Sequence, residues 1–254
     1  MYALVSLLPA LVAVAAPCGQ RRGDAPRLYL EAGRVAARDS VMRVFLCLHG
    51  GRGMQVNSLS ARITIDTAFG RIVGVEQPAG SSLFARVDPA GTAVLLAGAS
   101  SEGVKSGRLV TLRARLARTG VTPAMSVALT EMNDPSGTSL ATRTVVAGLD
   151  ARCVGDQPAV FQVLPPSASA DPGEVLDLRI AGCGFSASRN VVRFGDVTLR
   201  DVRSTERGTR IRVVVPKEIP SGGEVPPMSL GRGDYDVTVN NGRGTSNAKR
   251  VTLR

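Results

Sequence analysis

The sequence predicts an all-β chain built from two β-sandwich domains, and three observations carry that prediction. The 254 residues are enough for two domains of ordinary size, each burying its own core. Short runs rich in Val, Leu, Ile and Thr are broken by turn residues roughly every eight to twelve positions, the spacing of sandwiches and barrels. Finally, Leu59, Ala61, Ile63 and Ile65 alternate with Ser60, Arg62, Thr64 and Asp66, a period of two that buries one face of a strand and wets the other.

Residues Tyr2 to Ala16 are uncharged and apolar, with small residues at Ala13-Val14-Ala15. Residues 1–15 therefore read as a secretory signal peptide, too short to span a bilayer comfortably. No transmembrane segment is expected after its cleavage, and the destination is the extracellular space or the cell envelope. In Ala15-Ala16-Pro17-Cys18 a proline stands where lipidation wants a small residue, so an anchor on Cys18 is not favoured. Gly19 to Arg27 is polar. Heavy Arg and Ala use with Lys only at Lys105, Lys217 and Lys249 points to a GC-rich bacterial genome.

The first domain is expected over 28–147. Its strands are predicted at Val41 to Leu48, Leu59 to Asp66, Arg71 to Val75, Leu83 to Val87, Ala93 to Ala97, Arg108 to Ala117 and Met125 to Glu131. Residues 148–157 have little periodicity and read as a linker. The second domain is expected over 158–254. Val160 to Leu164 opens it, stopped by Pro165-Pro166 because proline cannot donate to a ladder. Leu176 to Ile180, Val191 to Phe194, Ile211 to Val215 and Tyr235 to Val239 follow, and Asn240-Asn241-Gly242 marks a turn.

Four spaced motifs distinguish the second domain: Gly182-Cys183-Gly184-Phe185, Val191-Val192-Arg193-Phe194-Gly195, Val215-Pro216, and Gly233-Asp234-Tyr235-Asp236-Val237-Thr238-Val239-Asn240 running on to Ser246-Asn247. In this order they resemble the IPT/TIG family of immunoglobulin-like domains, over about 158–254. The resemblance implies an immunoglobulin-like sandwich serving as a binding or spacer module, with Tyr235 packed against it. The first domain resembles the cohesin-like members of the carbohydrate-binding superfamily of jelly-roll sandwiches. That likeness is carried by the Leu59 to Asp66 strand, Phe69-Gly70-Arg71-Ile72-Val73-Gly74-Val75, Ala93 to Ala99, and Gly107 to Ala114. It implies a sheet face that binds a partner protein, on which Ser60, Arg62 and Thr64 would stand.

Export permits disulfides among Cys18, Cys47, Cys153 and Cys183. A Cys153–Cys183 bridge would pin the linker to the second sandwich, with Cys18 and Cys47 as the matching pair. Four cysteines allow three complete connectivities, and the spacing does not choose among them. A buried free thiol is an equal reading for Cys47, inside the apolar run Val44 to Leu48.

Catalysis has little to stand on. His49 is the only histidine, and no Gly-x-Ser-x-Gly elbow or His-Glu-x-x-His accompanies it. Cys47 and His49 lack further metal ligands nearby. No cofactor is expected; calcium is left open at Asp66 or Asp134, although Asn133-Asp134-Pro135-Ser136-Gly137-Thr138 reads equally well as a plain turn. The tripeptides Arg22-Gly23-Asp24 and Arg232-Gly233-Asp234 arise readily by chance in an Arg- and Gly-rich chain.

The net charge of +10 favours anionic partners. Arginines such as Arg108, Arg113, Arg115 and Arg118 are scattered along strands and read as a solvated face, so nucleic acid is not an expected partner. Two functional classes remain. One is a secreted or surface-held, non-catalytic protein-binding protein with a spacer domain. The other is a carbohydrate-binding accessory module for acidic surface polysaccharide. The absence of Trp and the core-like setting of most Phe residues weigh against sugar stacking in the second.

Overall fold

The computed structural model describes residues 18–19, 23–35, 40–118, 120–171, 175–219 and 228–254. The signal segment at 1–15 and Arg22 of the first Arg-Gly-Asp lie outside them. Within them the chain is all-β, with strands and a single 3-10 turn at Ala141–Arg143 as its regular structure.

The first eleven strands are β1 (Arg27–Ala32), β2 (Val41–His49), β3 (Val56–Ile65), β4 (Gly70–Glu76), β5 (Leu83–Val87), β6 (Ala93–Val104), β7 (Gly107–Leu116), β8 (Val121–Thr122), β9 (Met125–Asn133), β10 (Val145–Ala147) and β11 (Arg152–Cys153). They make a five-stranded sheet in the order β10-β1-β2-β7-β4 and a four-stranded sheet in the order β5-β6-β3-β9, with β8 and β11 as a small separate pair. The two larger sheets face each other across one core, in which Leu28, Met42, Val44, Leu46 and Leu112 meet Leu59, Ile63, Leu96 and Met132. In β3 the alternation is obeyed, since Leu59, Ala61, Ile63 and Ile65 are all buried while Arg62 is exposed. Strand β1, whose alternation sits in Arg27-Leu28-Tyr29-Leu30-Glu31-Ala32, pairs antiparallel with β2 and parallel with β10.

The remaining strands are β12 (Ala159–Leu164), β13 (Ser167–Ala168), β14 (Leu176–Cys183), β15 (Asn190–Phe194), β16 (Val197–Val202), β17 (Ser204–Thr205), β18 (Arg210–Val215), β19 (Glu218–Ile219), β20 (Met228–Ser229), β21 (Gly233–Asn241), β22 (Gly244–Thr245) and β23 (Lys249–Leu253). A four-stranded sheet runs β12-β14-β18-β17, and a six-stranded one runs β13-β23-β21-β15-β16 with β22 added to β21. Their shared core holds Leu178, Ile180, Phe194, Ile211, Val237, Val239 and Val251.

The motifs of this second half have structural jobs. Asn247 accepts from the Val160 N–H at 3.0 Å and donates to the Val160 carbonyl at 2.8 Å, tying the last loop to β12. The Ser246 hydroxyl accepts from the Val239 N–H at 2.8 Å, and the Asn241 amide donates to the Gly184 carbonyl at 2.8 Å. Gly182 is a close-approach position: a Cβ there would run into the Ala159 carbonyl and stand 2.6 Å from Phe185 Cζ. Gly182→Ala is therefore expected to destabilise the second sandwich by about 1–3 kcal/mol, as overpacking does; urea unfolding checks it, and an unchanged midpoint would show that β12 can yield.

A third, smaller cluster joins the two halves. Phe69, Val121, Ala159 and Cys183 are buried together, with Ala68, Cys153 and Phe161 packed against them. The Phe69 and Phe161 rings meet edge to face at 5.6 Å. Lys249 Nζ lies 5.3 Å from the Phe69 centroid and 3.2 Å from Asp66 Oδ2, while an Arg118 guanidinium N–H is donated to the Thr245 carbonyl. Burial holds the Arg118 guanidinium below its ordinary pKa. Residues 148–157, read as a linker, are held by the β8–β11 pair and by Met125 and Leu149, which exchange backbone hydrogen bonds at 2.8 and 2.9 Å.

Candidate functional site

Among the described residues no catalytic constellation forms. His49 ends β2 and borders a hollow lined by Gly23, Asp24, Gly51 and Arg52, which supplies no hydroxyl or thiol nucleophile. Asp66 is occupied by Lys249 and by the Ala68 N–H at 3.0 Å. Asp134 Oδ1 accepts from the Ser136 N–H, the Ser136 hydroxyl and the Thr138 N–H at 2.6–2.9 Å. Those bonds, the Ser136 hydroxyl first, hold its carboxyl below the usual range, so the loop uses Asp134 as a turn cap. Asp234 accepts from the Thr252 hydroxyl at 2.7 Å and faces Arg250, which ties the second Arg-Gly-Asp into the sheet.

All four cysteines are paired, Cys18 with Cys47 and Cys153 with Cys183, at Cα separations of 5.4 and 6.3 Å. The Cys18 N–H is donated to Glu31 Oε2 at 2.9 Å. Oxidised sulfurs offer no thiolate to a metal, so the grouping of Cys18, Glu31 and Cys47 is a capped bridge.

The outer surface of the β5-β6-β3-β9 sheet leaves two large apolar side chains in solvent. Pairing sets it in rows. Arg86 of β5, Leu95 of β6, Arg62 of β3 and Ala128 of β9 stand side by side, as do Phe84, Ala97 and Ser60 one row on. Phe84 is 67% exposed and Leu95 52%, high values for large apolar groups. Ser60, Arg62 and Thr64 all lie on this face, Thr64 within 2.6 Å of the Ser126 hydroxyl. Glu131 accepts from Ser58 at 3.2 Å and from Asn133 at 2.6 Å.

The sequence reading missed Phe84 by counting most phenylalanines as core. Phe69, Phe185 and Phe194 are buried, but Phe84 is the outward residue of Leu83-Phe84-Ala85-Arg86-Val87. The alternation of that strand, with Leu83, Ala85 and Val87 inward, was the signal that could have found it.

No protein-family model and no curated protein matches the chain. Solved structures do, cohesin modules among them. A non-cellulosomal cohesin of Archaeoglobus fulgidus is 18% identical, with 49% of this chain and 87% of that one covered at a TM-score of 0.39. The sixth cohesin of Acetivibrio cellulolyticus scaffoldin B, solved in complex with a dockerin, is 13% identical, covering 50% and 98% at 0.41. The cohesin module of a Clostridium perfringens family 33 glycoside hydrolase is 12% identical, covering 51% and 95% at 0.38. No helix among the described residues is long and apolar enough to cross a membrane.

Proposed function

We propose that the chain is an exported, non-catalytic protein-binding protein. Its first sandwich, residues 28–147, captures a protein partner on the outer face of the β5-β6-β3-β9 sheet. The second, residues 158–254, is an immunoglobulin-like spacer of the IPT/TIG kind, and 148–157 connects the two. The observation that carries this reading is the pair Phe84 and Leu95, left in solvent with Arg62 and Arg86 directly flanking Leu95. Aromatic and arginine side chains around an apolar centre are the groups that dominate protein–protein binding energy, and an exposed sheet face suits a protein surface. Ser60 and Thr64 supply polar contacts at its edge.

The test is capture by the mature chain, from Ala16 onward, from the producing organism's envelope and secreted fractions at low and high salt. A discrete protein retained at high salt by the native chain is expected, with Phe84→Asp or Arg62→Glu lowering its affinity about tenfold or more. Undiminished capture by both variants would remove the site from this face.

A further inference from the structure

The opposite side of the same sandwich gathers charge that the linear sequence disperses. On the outer face of the five-stranded sheet, Arg43 of β2 stands directly opposite Arg113 of β7, and Arg71 of β4 directly opposite Arg115 of β7. Arg113 and Arg115 are two apart on one strand and share its outward face, because Leu112, Ala114 and Leu116 between and around them are buried. All four arginines are exposed. Opposed residues on adjacent strands have Cβ atoms about 5 Å apart, and the two pairs are separated by about 7 Å along β7. These spacings fall within the screening length of about 8 Å in physiological salt, so the four charges act on one another.

Like charges directly opposite destabilise a sheet, and among the described residues no ion pair relieves them. Among the described residues no carboxylate forms an ion pair with Arg43, Arg71, Arg113 or Arg115; Arg71 reaches only the Ala90 carbonyl, at 3.4 Å. Glu31 and Glu76 stand at the two ends of the next row, Glu31 beside Phe45 and Glu76 beside Thr111, so the four arginines outnumber the carboxylates near them two to one. Beside the Arg71–Arg115 pair opens a hollow of about 220 Å³ that Thr67, Gly70 and Val73 also line.

We infer that this arginine face binds an acidic polysaccharide, a function separate from protein capture on the other sheet. Guanidinium forks pair bidentately with carboxylate or sulfate, and repeated anionic groups along a polymer neutralise several of them together. The chain's net charge of +10 draws polyanions in general. Two features select a glycan over nucleic acid. The face offers no exposed ring for base stacking, its aromatic Phe45 being half-buried. The two disulfides also belong to an oxidising compartment.

The experiment measures binding of the full chain to immobilised polygalacturonate, with neutral dextran and a short DNA duplex beside it. Polygalacturonate binding is expected, with affinity dropping at least about tenfold between ~50 and ~200 mM salt as counterions are released. R43S/R113S and R71S/R115S, on the two halves of the face, should each lose at least about tenfold, while R62S/R86S on the opposite sheet should bind like the native chain. Failure of the native chain to bind, or an equal loss in R62S/R86S, would overturn the site. So would a DNA duplex bound as tightly through the same arginines, which would reassign the face to nucleic acid. Because R62S/R86S leaves this face intact, the polysaccharide site and the protein-capture site fail independently.

Discussion

Phe194→Ala is expected to destabilise the second sandwich by about 3–5 kcal/mol, the range for deleting a fully buried aromatic ring. Phe194 is wholly buried at the end of β15 and stacks on Tyr235 at 4.8 Å with the rings 13° from parallel. Tyr235 is held from its other end, its hydroxyl donating to the Gly231 carbonyl at 2.9 Å. Truncation would leave a ring-sized void that Tyr235 cannot fill without giving up that bond. Denaturant unfolding followed by tyrosine fluorescence measures the effect, and a loss below about 1 kcal/mol would mean the core collapses onto the gap.

The second large effect is expected from C153S/C183S, which removes the bridge without leaving a lone thiol. The bridge spans a sequence separation of 30, and on the loop-entropy account it stabilises by about 3–4 kcal/mol. Both cysteines also pack in the small cluster with Phe69, Val121 and Ala159, so its loss loosens the contact between the two halves. Urea unfolding of the double variant against the native chain without reductant is the measurement. Superimposable transitions would show that the junction holds without the bridge, through the Phe69 cluster and the Lys249 and Arg118 contacts.

The fold class was legible because period-two alternation is a local signal. Every strand expected from the sequence overlaps an observed one, and Leu59 to Asp66 shows why, its inward residues being buried at every step. The strands missed are those whose alternation is short or charged. β23 reads Lys249-Arg250-Val251-Thr252-Leu253, with two basic residues first, and β1 follows a polar stretch that hides its start. The candidate surfaces were harder to see. Arg62 could be assigned an outward direction from its own strand, but Leu95 and Arg86 reach it only through the pairing of β6 with β3 and β5. The arginine face is the sharper case. Arg113 and Arg115 read, with Arg108 and Arg118, as a scattered solvated face, and the register of β2 and β4 on β7 sets Arg43 and Arg71 beside them. Register is decided by core packing across two sheets, which no single segment contains.

The sulfur links also decide how a pull on this protein would travel. Cys18 precedes β1 and is bonded to Cys47 in β2; Cys153 precedes β12 and is bonded to Cys183 at the end of β14. Tension entering ahead of residue 18 and leaving after β23 passes through the two bridges. It bypasses β1 and most of β2 inside the first bridge, and β12, β13 and nearly all of β14 inside the second. At about 3.4 Å per extended residue, the separations of 29 and 30 positions each withhold about 100 Å of slack from the stretched chain. Fully stretched, the oxidised chain would therefore be about 200 Å shorter than the reduced one.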